Sequence, residues 1–236
     1  MTAAARFGKG RHPRGKRRGP GKDPFFRVTK DDPPAVSCYP MRGNPLIREP
    51  SENAQSQYQG AAMNPPAAHW PDDIFQAFVD LDIRQVGYVP DAGHTRLIAA
   101  CNAANGMRAV SLTTEEEGVA MLAGAWLGGE RGALLMQSSG VGNCVNMLSI
   151  TQSCRLPLLM VVTMRGEWGE TNPWQVPMGK TTAETLKLQG VMVYAADTAE
   201  AVGPTVRAAG GIAFNGPAAA AVLISQRVVG TKEFRG

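Results

Sequence analysis

The first apolar pattern that keeps a period begins near Trp70. From Pro71 to Leu81, Ile74, Phe75, Phe78 and Leu81 recur at helical spacing behind Asp72 and Asp73. The spacing predicts an amphipathic helix with acids at its positive end. Beyond it, strand-length apolar runs alternate with helical ones. Strands are predicted at 85–89, 107–112, 132–136, 157–163, 191–194 and 218–224, and helices at 95–104, 115–127, 142–154, 181–188 and 198–209. Residues 138–143 read as a Gly-rich turn. The run 157–163 is apolar enough for a strand covered on both faces. Unbroken strand–helix alternation predicts an α/β domain, with a mostly parallel sheet of about six strands and helices on both faces. Such sheets bind ligands at the carboxyl ends of their strands. That singles out the connections 90–94, 113–115, 137–143 and 164–175.

Residues 1–68 show no comparable period. The stretch from Arg6 to Lys22 is rich in Gly, Arg, Lys and Pro, and prolines recur from Asp31 to Ala68. Such a segment buries too little surface to offset its chain entropy. The expected organisation is a disordered basic extension at 1–68, one domain at 69–230 and a tail at 231–236. The extension reads as a tail for nucleic acid or a membrane surface, as a solvated extension, or as a start assigned too early, with Met63 the alternative start. Residues 1–70 hold 12 Lys/Arg against 5 Asp/Glu, and residues 71–236 hold 12 against 15. The basic balance belongs to the extension, and a basic face on the domain is not supported. Cys38, Cys101, Cys144 and Cys154 have no CxxC spacing and no histidine cluster. They read as reduced thiols of a cytoplasmic protein, the last three buried in apolar or helical stretches. No stretch suits a membrane span or a secretory leader.

Four connections carry chemistry. Thr113-Thr114-Glu115-Glu116-Glu117-Gly118 sets three carboxylates at the start of a small-residue helix. Acids favour that end of a helix, which accounts for the cluster by itself. The alternative is one glutamate turned into a dry pocket and suited to proton transfer. Gln137-Ser138-Ser139-Gly140-Val141-Gly142-Asn143 follows a strand, so its backbone N–H groups can approach a ligand. A tight turn needing glycine at positive φ is the equal alternative. Neither GxGxxG nor GxxxxGK[ST] is present. The segment from Arg165 to Gln175 is long for a connection. Arg165 there either grips a carboxylate or sulfonate or pairs with Glu167 or Glu170. In Val89-Pro90-Asp91-Ala92-Gly93-His94-Thr95, His94 is a candidate proton donor beside Asp91, or an ordinary hydrogen-bonded histidine.

Together, "VPDAGHTRLI", "TTEEEGVAMLAGAWL", "LLMQSSGVGN" and "MRGEWGETNPWQVPMG" resemble the pyrimidine-binding domain of thiamine-diphosphate-dependent 2-oxoacid decarboxylases. The likeness extends to the alpha subunit of sulfopyruvate decarboxylase and to phosphonopyruvate decarboxylase, over roughly residues 70–230. The resemblance implies a carboxy-lyase subunit acting on a small anionic 2-oxoacid. Its glutamate, Glu115 with Glu116 one register away, would protonate N1′ of the cofactor's aminopyrimidine. Gly140, Gly142 and Asn143 would border the cofactor's reacting end. Asp91 and His94 would face the substrate, and Arg165 its anionic end. The family anchors diphosphate and Mg²⁺ through a Gly-Asp-Gly motif that this sequence does not contain. The resemblance therefore implies a second subunit carrying that site, and a hetero-oligomer. The competing expectations are a subunit of an acetolactate-type carboligase, and a non-catalytic regulatory or nucleic-acid-binding protein.

Overall fold

The alternation resolves, in the computed structural model, into six parallel strands covered by helices, with residues 70–231 described. The expected extension, Cys38, Met63 and nearly all of the expected tail lie outside the described residues. In chain order the elements are α1 (Trp70–Asp80), β1 (Ile83–Tyr88), a 3-10 turn (Ala92–His94), α2 (Thr95–Ala103), β2 (Arg108–Ser111), α3 (Glu115–Leu127) and β3 (Arg131–Gln137). Then follow α4 (Ser138–Cys144), α5 (Ser149–Ser153), β4 (Leu158–Thr163), a 3-10 turn (Pro173–Gln175), α6 (Val176–Leu188), β5 (Met192–Ala196), α7 (Ala199–Asn215), β6 (Ala219–Ile224) and α8 (Gln226–Val229).

The sheet order is β2-β1-β3-β4-β6-β5, and every pairing is parallel. Central residues run across it in register, with Val86 beside Ala133, Leu135 beside Val161, and Val161 beside Val222. Alternate residues of each central strand face opposite layers. Ala133, Leu135, Val161 and Val222 join Trp70, Ile74, Phe78, Leu97 and Val202 under α1, α2 and α7. Leu134, Met136, Met160 and Val162 join Val119, Leu122, Val141 and Leu186 under α3, α4 and α6. This two-sided burial is why β4 and β6 are buried at every position and apolar throughout except at Thr163, the last residue of β4. The chain runs outward from β1 to β2 and then returns to β3, so the direction of winding reverses between β1 and β3. A crevice opens at such a point, above the carboxyl ends of the strands.

Three expectations change. Residues 138–143 do not form a turn but are the first turns of α4, which starts directly after an extended Gln137. Neither Gly140 nor Gly142 takes a positive φ. Helix α6 begins at Val176 rather than at 181, because Pro177 sits in its first turn, where no N–H partner is lost. Cys154 is exposed, whereas Cys101 and Cys144 are buried, and all three are free. Among the described residues no helix is long and apolar enough to cross a membrane, and no cluster of His, Cys, Asp and Glu suits a metal ion.

Candidate active site

At the start of α3 the three adjacent carboxylates separate. Thr114 is extended (φ −145°, ψ 155°), and the helix turns from the next residue. Glu115 points inward, with 7% of its surface exposed. Glu116 faces solvent. Glu117 reaches back, its Oε2 accepting the Thr113 N–H at 2.9 Å, which satisfies a donor that the helix start leaves open. The helix lies close on the sheet because residue 118 has no side chain. A Cβ there would overlap Leu134 and stand 2.8 Å from Leu112 Cδ1.

That close approach brings Glu115 against α4. Asn143 Nδ2 donates to Glu115 Oε2 at 2.8 Å. Gly140 supplies the space: a Cβ at this position would overlap Oε1 and Cδ of Glu115 and lie 2.7 Å from its Cγ. Glycine is required at 140 by a carboxyl group rather than by backbone conformation. Residue 142 is different, because a Cβ there would meet only Met178 Sδ at an ordinary 3.6 Å. Gly142 and Asn143 are both exposed, so the buried carboxyl sits just behind an open edge. Beside it, burial, and after it the charges of Glu115 and Glu116, push the Cys144 thiol up to about 12. Cys144 is therefore an inert wall rather than a nucleophile.

A second polar group spans the crevice between β1, β3 and β4. Asp91 Oδ1 accepts Gln137 Nε2 at 3.0 Å, and its Oδ2 accepts Thr163 Oγ1 at 2.7 Å. Ser139 Oγ donates to Gln137 Oε1 at 3.0 Å. Gln137 and Ser139 stand in the motif that the sequence singles out, but nothing in their spacing shows that they form a chain with Asp91. Thr163 closes an apolar strand and has no sequence signal.

His94 is not brought to this crevice's open face. It is fully buried, with Nε2 3.2 Å from the Val161 carbonyl. Burial pushes its pKa down, against the charge of Asp91 and the neighbouring backbone carbonyls. The ring is sealed under the crevice, and its Nδ1 is buried without a hydrogen-bond partner among the described residues. Arg165 is likewise engaged. Its Nε and Nη2 hold Glu170 at 2.7 and 2.6 Å, and both side chains are buried. Glu170 also accepts the N–H groups of Gly166 and Asn172 and Nε2 of Gln226. Gln226 Oε1 in turn accepts the N–H groups of Glu167 and Trp168. Of the two readings of Arg165, the structure contains the pair with Glu170. Gln226 lies far along the chain, and no pattern in the sequence marks it as the residue that ties the connection down. A surface cleft lined by Arg84, Gln85, Arg108 and Glu130 opens at the opposite, amino-terminal end of the strands and holds none of these groups.

The arrangement places a buried carboxyl, oriented by one amide, beside an exposed edge formed by Gly142 and Asn143. The chemistry suits the aminopyrimidine end of thiamine diphosphate: a buried carboxyl group for a ring nitrogen, set just behind the exposed edge at Gly142 and Asn143.

The description "Thiamine pyrophosphate enzyme, N-terminal TPP binding domain" matches residues 70–200. The sulfopyruvate decarboxylase subunit alpha of Methanococcus maripaludis is 29% identical over 152 residues, which cover 64% of this chain and 91% of that one. Its counterpart from Methanocaldococcus jannaschii is 32% identical over 128 residues, 54% of this chain and 76% of that one. The phosphonopyruvate decarboxylase of Streptomyces viridochromogenes is 36% identical over 118 residues, and only 30% of its length is covered. Among solved structures, a 2-oxoglutarate:ferredoxin oxidoreductase from Magnetococcus marinus matches with a TM-score of 0.57 at 15% identity. The match covers 72% of this chain and 30% of that one, and it supports the fold alone.

Proposed function

This chain belongs to the thiamine pyrophosphate enzymes, whose N-terminal TPP-binding domain it carries, and from that premise we propose that it is the alpha-type subunit of a cytoplasmic decarboxylase. The substrate is a small anionic 2-oxoacid such as 3-sulfopyruvate or 3-phosphonopyruvate, converted to the aldehyde. The observation that carries the reading is the buried Glu115 carboxyl, held by Asn143 in the space that Gly140 leaves. The relatives bear the names of decarboxylases, not of carboligases, and two are named as alpha subunits. The partner subunit holds diphosphate and Mg²⁺. Free thiols at Cys101, Cys144 and Cys154 fit a reducing compartment.

Glu115 holds and returns a proton at its carboxyl group, and Asn143 fixes that group's orientation. Gly140 leaves the room in which that carboxyl lies, and Gly142 borders the opening. The α3–α4 layer, with Val119, Val141 and Cys144 fully or almost fully buried, excludes water and so strengthens every polar contact made there. Thiamine diphosphate, when bound, supplies the electron sink for the pair left by departing carbon dioxide. Asp91, fixed by Gln137 and Thr163, lines the crevice on the substrate side. His94 is buried against the Val161 carbonyl and Arg165 is paired with Glu170, so we assign neither of them a substrate contact.

The test is reconstitution. The chain alone, titrated with thiamine diphosphate and Mg²⁺ by calorimetry, is expected to bind weakly and to release no carbon dioxide from 3-sulfopyruvate, 3-phosphonopyruvate or pyruvate. Together with its partner subunit it decarboxylates one of the first two. Micromolar binding with turnover by the chain alone overturns the divided site. Acetolactate from pyruvate as the main product supports the carboligase instead.

A further inference from the structure

Glu115 has two oxygens in unlike surroundings. Oε2 receives the Asn143 amide at 2.8 Å. Oε1 lies over the bare Cα of Gly140, and no side-chain donor to it occurs among the described residues. A carboxyl group whose two oxygens were equivalent would carry its proton on either, and only one of the two faces a ligand at a time. An amide donor removes that equivalence, because Oε2 as its acceptor is a poor place for the proton. Asn143 is itself exposed, on the turn of α4 that follows Gly140, so nothing in the core requires an amide there. Its hydrogen bond to Glu115 is the only one its side chain makes among the described residues.

We propose that Asn143 is a positioning residue that distinguishes the two oxygens of Glu115, holding Oε2 as an acceptor and leaving Oε1, against Gly140, as the atom that gives and takes the proton. The inference rests on the catalytic reading of Glu115. The ionisable neighbours are Glu116 and Glu117 on the same turn and Cys144 on α4. The two glutamates are exposed, and the thiol stays protonated through the working range. Any change at the Glu115 carboxyl after a substitution at 143 therefore reports the lost or altered contact.

The experiment uses Asn143→Ala and Asn143→Asp, with Glu115→Gln as the reference. In the full chain without cofactor, the ¹³C NMR signals of side-chain carboxyl groups are recorded at one fixed pH. The Glu115 signal is assigned by its absence in Glu115→Gln. Removing the amide donor moves the Glu115 carboxyl signal in Asn143→Ala, and replacing the donor by an acceptor in Asn143→Asp moves it again. In the enzyme assembled with its partner, Asn143→Ala lowers kcat on the order of 10- to 100-fold, the loss expected of a misplaced group. The KM for the 2-oxoacid and the affinity for thiamine diphosphate stay near wild type. An unmoved Glu115 signal and wild-type kcat in both 143 variants, with Glu115→Gln inactive, overturn this inference alone. Full activity in Glu115→Gln overturns it together with the function it rests on. A moved Glu115 signal accompanied by a kcat loss at constant KM supports it.

Discussion

Two buried carboxylates stand at the carboxyl end of one sheet, and they are built in opposite ways. Glu170 sits in a knot of donors: the Arg165 guanidinium, two backbone N–H groups and the Gln226 amide. Burial alone would raise its pKa. The hydrogen bonds from Arg165 and Asn172, the Arg165 charge and Gln226 outweigh burial and hold it down at about 2. Glu115 has one side-chain donor, Asn143, and one oxygen left over a glycine. A carboxylate saturated with donors is a fixed anion that shapes a loop. A carboxyl with a single orienting contact keeps an oxygen for a ligand. Burial and acidity are common to both sites, so neither separates structure from chemistry. The number and kind of partners does.

The contrast breaks most sharply at Glu115. Glu115→Gln, in the enzyme assembled with its partner, is expected to reduce turnover by ~10²–10⁴, the usual loss of a positioned acid–base group. Assembly and cofactor affinity stay near wild type. Steady-state rates and C2 proton exchange of bound thiamine diphosphate measure it. Wild-type exchange in this variant would show that Glu115 is as structural as Glu170.

On the other side, Arg165→Met leaves Glu170 buried without its main counter-charge. Breaking one partner of a buried pair costs ~3–5 kcal/mol, read as a lower denaturant midpoint of the chain. Replacing Arg165 and Glu170 together by Met recovers part of that loss. The acid response follows from the sign of the shift. Glu170 has a folded pKa of about 2 against an ordinary 4.5. Its contribution is therefore complete above the ordinary value and disappears as pH falls toward the folded one. Arg165→Met removes this contribution, so the variant should lose less stability than wild type over that interval. Equal slopes for the two proteins between pH 5 and pH 2 would contradict the assignment.

Gly140→Ala tests the space between α3 and α4. The added Cβ overlaps the Glu115 carboxyl, so the helix or the glutamate must shift. Overpacking of this kind costs ~1–3 kcal/mol, and turnover falls with the displaced carboxyl. Gly142→Ala, whose Cβ has ordinary clearance from Met178, should differ little from wild type in thermal stability. If the two variants behave alike, the glycine at 140 is not reserved for Glu115.

The fold was legible because periodicity and burial agree. The apolar run 157–163 became β4, buried at every position, and residues 115–127 became α3 with the expected bounds. The misreading at 138–143 has a specific cause. Two glycines in seven residues look like a turn, yet both lie in a helix, and one is there for a contact 25 residues earlier in the chain. Close approach between elements leaves no local signature. The same holds for His94 and Arg165, whose residue types suggested chemistry while their partners, Val161 and Glu170 with Gln226, are set by tertiary packing. Glu115 was legible as a member of a triplet, but its inward turn depends on Gly118 lying against Leu134.

The smallest expected effect lies within that triplet. Glu117 and Glu116 share the helix start with Glu115, and all three feel the same positive end of the helix. Glu116→Gln removes only a solvent-exposed charge and should cost ~0.3–1 kcal/mol at low salt, less when salt is added. Glu117→Gln removes the same charge but keeps an amide oxygen able to accept the Thr113 N–H, so its cost should fall in the same range. Glu117→Ala loses that acceptor as well and should cost ~0.5–2 kcal/mol, as for other lost helix caps. Thermal unfolding of the three variants at two salt concentrations separates charge from hydrogen bond: the charge part shrinks with salt, and the excess in Glu117→Ala does not. None of the three should slow C2 proton exchange in the assembled enzyme. If Glu116→Gln slows it while Glu115→Gln does not, the acid is the exposed carboxylate, and the partner subunit rather than Gly140 provides its pocket.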